Sequence, residues 1–133
     1  MELTKAGDYG FLGALYLARQ PRGRVVTLSE ISEHEGIPEK FLAKIFQNLT
    51  RTGLIRSHRG AKGGFTLAKP ADEITVKELI ESVQGPIFLS WCLTSPNSCD
   101  RKKTCPLRKL WVKSQDYIID IFKENTLADL AAE

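Results

Sequence analysis

The sequence contains few of the residues that would indicate an enzyme or a membrane protein. In 133 residues there are two histidines, one methionine and three cysteines. No apolar run approaches the length needed to span a bilayer, and the N-terminus lacks a signal-peptide pattern. Neither a Cys-x-x-Cys pair nor a glycine-rich cofactor fingerprint is found, so an enzyme is disfavoured and no catalytic residue is assigned. We therefore expect a cytoplasmic protein that does not bind membranes.

Charge is distributed unevenly along the chain. The first 69 residues hold 11 Lys or Arg against 6 Asp or Glu, whereas the remainder hold 8 against 10. A basic half is the electrostatic signature of a protein that binds an anionic polymer, most simply nucleic acid. Because a solvated surface of mixed sign gives the same count, the choice between the two depends on motifs.

Two helices are expected before residue 36. Thr4 to Arg19 has apolar residues at helical spacing: Tyr9, Leu12, Leu15 and Tyr16 form one stripe, and Phe11 and Leu17 form a second. Thr27 and Glu30 form a capping-box pattern, in which each side chain bonds the other residue's amide. Gly36 is placed to end the second helix in a left-handed conformation.

A third, two-faced helix is predicted from about Pro38 to Thr52, with proline in its first turn. Its apolar stripe consists of Leu42, Ile45, Phe46 and Leu49. Its outer polar face consists of Lys40, Lys44, Gln47 and Arg51. Two short helices joined by a tight turn, with a basic face on the second, follow the helix-turn-helix plan, so these outer residues are the candidate DNA readers.

A β-hairpin, the wing, is predicted over about residues 54–68. Two short strands flank the glycine-rich tip Gly60-Ala61-Lys62-Gly63-Gly64. Arg56, Arg59 and Lys62 are the candidate DNA contacts of this hairpin. The expected fold class is therefore mainly α with a small β-wing: a winged helix-turn-helix domain followed by a long C-terminal dimerisation helix.

The second half of the chain divides into three parts. A capping box at Thr75 and Glu78 begins a helix that completes a DNA-binding domain over residues 1–85. Residues 86–105 form a cysteine-containing loop. Residues 106–133 form a long helix and a C-terminal turn, and its broad apolar band requires a partner, most simply a second copy of the chain.

The cysteines Cys92, Cys99 and Cys105 are separated by six and five residues. Thiolates suit iron–sulfur clusters and zinc alike, but the usual Cys-x-x-Cys zinc knuckle is missing. Three cysteines within 14 residues of an otherwise cysteine-free chain favour metal binding over unliganded thiols. Nearby Arg101 and Lys102 would offset the negative charge of such a site.

Three thiolates leave the fourth ligand position open. The cysteine loop has no histidine, so the carboxylates Asp8 and Asp100 are the options. A carboxylate is a more exchangeable cluster ligand than a thiolate, which would suit a sensor that must lose or alter its cluster.

These motifs together resemble the IscR/NsrR/RirA family of bacterial iron–sulfur transcription regulators, and IscR-like members most of all. The resemblance covers nearly the whole chain and combines the wing with the triple cysteine. The matching segments are Leu3-Thr4, Gly7-Asp8-Tyr9, Ile31-Ser32, Gly36-Ile37, Phe41-Leu42, Leu49, Gly53-Leu54, Arg59-Gly60 and Gly63-Gly64-Phe65.

The resemblance implies a homodimer that grips a near-palindromic operator in double-stranded DNA and holds a cluster on the three cysteines. IscR-like members use a histidine where this chain has Arg108, which cannot ligate iron. NsrR-like members use an N-terminal aspartate of the other subunit, and Asp8 matches it, so Asp8 is the preferred fourth ligand. A 2Fe–2S cluster is favoured slightly over 4Fe–4S.

The resemblance also bears on DNA reading. Lys40 and Lys44 occupy base-reading positions, Arg59 matches a wing arginine that enters the minor groove, and Ala43 replaces an acidic reader, which leaves the operator sequence open.

The expected function is a DNA-binding regulator, of the repressor class, that controls iron–sulfur biogenesis or iron-, redox- or nitric-oxide-responsive genes. Its operator binding is expected to be modulated by the cluster. The alternatives are a zinc-stabilised DNA-binding protein and a cluster-free regulator that senses thiol oxidation.

Overall fold

The computed structural model describes residues 2–133. In these residues the fold consists of helices and one two-stranded antiparallel sheet. The elements are α1 (Lys5–Ala18), α2 (Leu28–Glu35), α3 (Glu39–Arg51), β1 (Ile55–His58), β2 (Gly64–Leu67), α4 (Val76–Gln84), α5 (Pro106–Glu124) and α6 (Leu127–Ala131). Short 3-10 turns occupy Ala71–Glu73 and Trp91–Leu93. The predicted fold class, mainly α with a β-wing after a helix-turn-helix, is confirmed.

Small residues form the buried face of α1. Of the two predicted stripes, only Leu17 is fully buried, whereas Tyr9, Leu12, Leu15, Tyr16 and Phe11 are half-buried against the core. The fully buried residues are Gly7, Gly10, Gly13, Ala14 and Leu17. Apolar periodicity overlooks glycine, whose lack of a side chain is what lets two helices approach closely.

Helix α3 has the predicted two-faced character. Leu42, Ile45, Phe46 and Leu49 are its buried residues. The helix begins at Glu39, and Pro38 is its N-cap residue rather than part of its first turn. Gly36 ends α2 with φ 66° and ψ 34°, the left-handed conformation that was expected.

The capping box of α2 is only half formed. Thr27 Oγ1 accepts from the Glu30 amide at 3.1 Å, as predicted. The Glu30 carboxylate does not return to Thr27; it binds Arg24 at 2.7 Å and also accepts from the Tyr16 hydroxyl. The hydrogen bond from Arg24, followed by that from Tyr16, lowers the pKa of Glu30. This carboxylate therefore links α1, the loop after it and α2.

The wing is attached to the helical body through Val26. Strands β1 and β2 pair in register from Ile55 opposite Leu67 to His58 opposite Gly64. Val26 and Phe65 form a two-way backbone bridge with N···O distances of 3.0 and 2.8 Å. The loop before α2 is thus joined to the hairpin by an isolated β-bridge, which limits the movement of the wing relative to α2.

The C-terminal residues return to the winged-helix core. The Val76 amide donates to Asn125 O and the Leu127 amide donates to Ile74 O, both at 2.9 Å. Leu127 is 1% exposed and belongs to the same core cluster as Phe46. The predicted capping box at the start of α4 is fully formed, so residues 74–76 are held by both helix capping and strand-like pairing.

Helix α5 packs on the body along one side only. Ile119 and Phe122 pack against the second core cluster of Val76, Ile80 and Ile87. None of the residues of α5, all of which the structure describes, is buried. Its most exposed large apolar residues are Leu107, Leu110, Val112, Tyr117 and Ile121. No helix within residues 2–133 has the length and apolar character required to cross a bilayer.

We predict that Gly64→Ala destabilises the wing attachment. A Cβ atom at Gly64 would lie 2.7 Å from the carbonyl carbon of Val26, so the two-way bridge must open or shift. Overpacking and the loss of backbone hydrogen bonds together cost about 2–3 kcal/mol. Urea denaturation should show this loss in the free energy of unfolding.

Gly60→Ala is the matched control. Gly60 also has a positive φ, 99°, but a Cβ atom there meets nothing within 4 Å. Its cost is therefore only the left-handed backbone term of about 1 kcal/mol. Equal losses in the two variants would contradict the role assigned to the Val26 bridge.

Candidate functional site

The outer face of α3 presents the predicted polar residues to solvent. Lys40, Lys44, Gln47 and Arg51 are all exposed. Arg51 Nη2 donates to Asn48 Oδ1 at 3.1 Å, which orients the guanidinium along the helix. Phe41 lies among them, 47% exposed, with its ring edge-on to Tyr9 at a centroid distance of 5.6 Å. The structure thus gathers all four predicted readers on one accessible helix face.

The wing presents the other three predicted DNA contacts. Arg56 on β1 and Arg59 and Lys62 at the tip are exposed. The tip closes through a hydrogen bond from the Gly63 amide to Gly60 O at 2.9 Å, and Gly60 has a φ of 99°. A short glycine turn therefore holds two cations at the end of a hairpin, the geometry by which wings reach DNA phosphates or a minor groove.

All three cysteines line a single cavity of about 460 Å³ between the loop and the start of α5. Cys92 is buried, whereas Cys99 and Cys105 are half-buried. The cysteines are thus brought together by the fold although they are far apart in the loop. Its other lining residues are Ser90, Trp91, Asp100, Arg101, Lys102, Leu107, Arg108 and Trp111.

Local hydrogen bonds hold the loop in a compact shape around this cavity. Lys102 Nζ donates to Pro96 O at 2.7 Å, and the Cys105 amide donates to Arg101 O at 2.8 Å. Thr94 Oγ1 and Ser98 Oγ are 2.8 Å apart. In the absence of regular secondary structure, these bonds hold the backbone of the loop from Thr94 to Cys105.

Arg108 connects α5 to the cysteine loop. Its Nη1 donates to the carbonyl oxygen of Cys92 at 2.9 Å. A guanidinium cannot ligate a metal because it has no free lone pair at neutral pH. Arg108 instead contributes positive charge, with Arg101 and Lys102, to a cavity whose walls include one carboxylate, that of Asp100.

The donor set fits an iron–sulfur cluster better than a preformed zinc site. No three His, Cys, Asp or Glu side chains within residues 2–133 converge as a single-ion site. A structural zinc ion requires four ligands about 2.0–2.3 Å from one centre. Three thiols that surround a shared space, with cations to balance negative charge, match the larger body of a cluster.

The two carboxylate options occupy different places. Asp100 lines the cysteine cavity and is exposed. Asp8 lies in the first turn of α1, is exposed, and is not among the described residues that line this cavity. Asp8 therefore does not reach the cysteine cavity of its own chain. An Asp8 ligand would have to come from a partner subunit.

The sequence reasoning missed part of the cavity wall. Leu107 and Trp111 were assigned only to the apolar band of the long helix, yet both line the cavity together with Trp91. The available signal was their spacing, since Leu107, Arg108 and Trp111 fall on one face of a helix. The cavity is thus lined by apolar as well as cationic side chains.

Comparison with known proteins supports this description. The model of the Rrf2 family, described as iron-dependent transcriptional regulators, matches residues 3–133. An HTH-type transcriptional regulator of Aquifex aeolicus is 35% identical over 124 residues, which are 92% of this chain and 85% of that protein.

Solved structures give the same result. CymR, the global cysteine regulator of Bacillus subtilis, superposes with a TM-score of 0.83 at 27% identity, covering 99% of this chain and 97% of that one. CymR of Staphylococcus aureus in its oxidised form gives 0.79 at 29% identity, covering 100% and 98%. IscR of T. potens gives 0.78 at 26% identity, covering 98% and 85%.

The relatives are transcriptional regulators, and the winged-helix fold of this chain is consistent with that class of protein. Members of the matched family are transcriptional regulators rather than enzymes, which confirms the expected class and the resemblance on which it rested. The chain belongs to the Rrf2 family of iron-dependent transcriptional regulators.

Proposed function

We propose that this chain is a homodimeric regulator whose binding to a near-palindromic operator is controlled by an iron–sulfur cluster on Cys92, Cys99 and Cys105. The observation that carries the proposal is the convergence of all three thiols on one cavity. When bound, a cluster supplies a group that is assembled, oxidised or dismantled in response to iron, oxygen or nitric oxide. A 2Fe–2S cluster is slightly preferred.

The residues around the thiols suit this role. Arg101, Lys102 and Arg108 lie close enough to offset the charge of three thiolates. The indoles of Trp91 and Trp111 add apolar surface to the same space. The Arg108 bond to the Cys92 carbonyl ties the position of the first cysteine to the start of α5.

The exposed side of α5 is proposed as the dimer interface. Leu110, Tyr117 and Ile121 are 51%, 62% and 55% exposed. A row of exposed large apolar side chains along a 19-residue helix is typical of a surface covered by another copy. In this arrangement residues 1–85 bind DNA, residues 86–105 hold the cluster and residues 106–133 dimerise, while α6 packs on the DNA-binding core.

The cysteine loop is connected to the recognition helix α3 through contacts between the helices that lie between them. The loop and α5 share the cavity wall, α5 contacts α4, and α4 contacts both α3 and α1. In a dimer held by α5, a change in the angle of this helix moves α3 of one subunit relative to α3 of the other. The spacing of the two recognition helices determines whether both half-sites are engaged.

A second candidate is a cluster-free regulator that senses thiol oxidation. The structural likeness to CymR of Staphylococcus aureus, whose structure is known in an oxidised form, favours it. Cys99 and Cys105 are both partly accessible, as thiol sensing requires. A reversible disulfide after oxidant treatment, in protein that contains neither iron nor sulfide, would support this candidate over the cluster.

The cysteine variants test the main proposal. Cys92→Ala, Cys99→Ala and Cys105→Ala, purified anaerobically, should each lose visible absorbance and acid-labile sulfide. Operator affinity should change by about tenfold or more between loaded and cluster-free protein, the usual size of an allosteric coupling. Iron and sulfide analysis with gel-shift titration measures both.

Thr104→Ala is the control, because Thr104 is exposed, adjoins Cys105 and is not a lining residue. It should keep full iron and sulfide. Stoichiometric zinc in a colourless protein would indicate that the cysteines bind a structural metal instead of a cluster. Equal operator affinity with and without the cluster would refute cluster control while leaving cluster binding intact.

The fourth ligand is tested by two carboxylate variants. We expect Asp8→Ala to accelerate the loss of the cluster to a chelator by about tenfold or more, since altered ligand shells typically weaken metal binding by that factor. Asp100→Ala should behave like the unaltered protein. The reverse result would assign the position to Asp100, which already lines the cavity, and would contradict Asp8.

The DNA interface is tested by salt dependence. Arg59→Ala should reduce the slope of log affinity against log salt concentration by about 0.9, the value for one phosphate contact. Lys123→Ala removes an exposed cation of the last turn of α5 and should leave the slope unchanged. Identical slopes for the two variants would contradict a DNA contact by the wing tip.

A further inference from the structure

A second cavity, of about 470 Å³, lies between the end of α1, the loop that follows it and the outer side of the wing. It is separate from the cysteine cavity and shares none of its lining residues. Its volume falls in the range of pockets that hold small molecules. Of the residues that line it, only Arg56 is also a predicted DNA contact.

The charged side chains that line this cavity are all basic. Every charged or titratable side chain among the described lining residues is basic: Arg22, Arg24, Arg56, His58 and Lys69. They come from three different segments, the loop after α1, strand β1 and the residues after β2. Their convergence is therefore a product of the fold and not of a local run of basic residues.

Two of these cations are free to bind a ligand. Arg24 pairs with Glu30 at 2.7 Å and Lys69 pairs with Glu78 at 2.8 Å. Arg22 and Arg56 have no side-chain hydrogen bond or ion pair with any residue in the described part of the chain. A guanidinium offers several donors in a planar fork, which suits phosphate and carboxylate oxygens.

The rest of the wall is apolar or neutral. The apolar lining residues are Leu17, Ala18, Pro21, Leu67, Ala68, Pro70 and Ala71. On the wing side, His58 Nε2 lies 2.9 Å from Thr66 Oγ1, so the imidazole is held in place. A pocket with a cationic rim and an apolar wall fits a small organic anion better than a bare inorganic ion.

We propose that this cavity is an anion-binding site, which takes a phosphate or carboxylate group carried on a small, partly apolar molecule and uses Arg22 and Arg56 as its main ligands. Because Arg56 belongs to the wing and the wing is bridged to Val26, occupation would alter how the wing meets DNA. A phosphate of the DNA backbone presents the same chemistry and is the other source of such a group.

The first arm of the test uses small anions alone. The full-length protein is titrated with inorganic phosphate and with phenyl phosphate at constant ionic strength, and amide signals are followed by two-dimensional NMR. We expect saturable shifts at residues 20–24 and 66–71, with phenyl phosphate binding more tightly. Arg22→Ala and Arg56→Ala should each weaken binding by about tenfold, the usual effect of losing a charged hydrogen bond.

Arg19→Ala is the matched control. The substitution removes the same charge, and Arg19 is exposed and does not line the cavity. Its binding should stay within about twofold of the unaltered protein, as expected for a surface change outside the site. Equal weakening in Arg19→Ala and Arg22→Ala would indicate non-specific attraction and would overturn the site.

The second arm measures operator binding against salt. If small anions do not bind but Arg22→Ala lowers the salt slope by about one while Arg19→Ala does not, the site takes a DNA phosphate. If neither arm distinguishes Arg22 from Arg19, the proposal is refuted. The first arm needs neither DNA nor a cluster, so its failure leaves the proposed cluster control untouched.

Discussion

The close approach of α1 to α3 is the constraint on which the rest of the molecule depends. A Cβ atom on Gly13 would lie 2.7 Å from Cε1 of Phe46, and one on Gly10 would lie 2.7 Å from Cγ2 of Val83. Glycine at these positions lets α1 lie almost directly on α3 and α4. The recognition helix is thereby fixed at a distance that larger side chains would not allow, and its outer polar face is directed away from the body.

The two proposed sites are connected to the packed helices α1, α3 and α4 by different contacts. The wing is joined to it by the Val26 backbone bridge, so strand β1 and its Arg56 move with the loop before α2. The cysteine loop is joined to it through α5, which Arg108 links to the Cys92 carbonyl. Under the two proposals, a signal at the cysteines would act through helix packing, whereas an anion beside the wing would act on the hairpin directly.

Arg108 also separates this chain from the histidine-ligated pattern expected of IscR-like members. The position that would supply a ligand supplies a hydrogen bond and a positive charge instead. Asp8 is exposed in the first turn of α1 and Asp100 lies on the cavity wall, so the cysteine cavity of one chain holds three cysteine side chains and one carboxylate. Under the proposed function, a fourth ligand supplied by Asp8 of a partner subunit would couple the dimer to the cluster.

The sequence alone determined what depends on local chemistry. Residues near in sequence set the capping of α4, the left-handed end of α2, the two faces of α3 and the glycine-tipped wing, and each followed the prediction. The family was likewise predictable, because its motifs are short segments in fixed order. Tertiary structure decided the contacts between distant residues: the glycine face of α1, the diversion of Glu30 from its cap to Arg24 and Tyr16, and the return of Leu127 to the core. The cavity beside the wing also arises there, because its lining segments are far apart in the chain and meet only once the helices have packed.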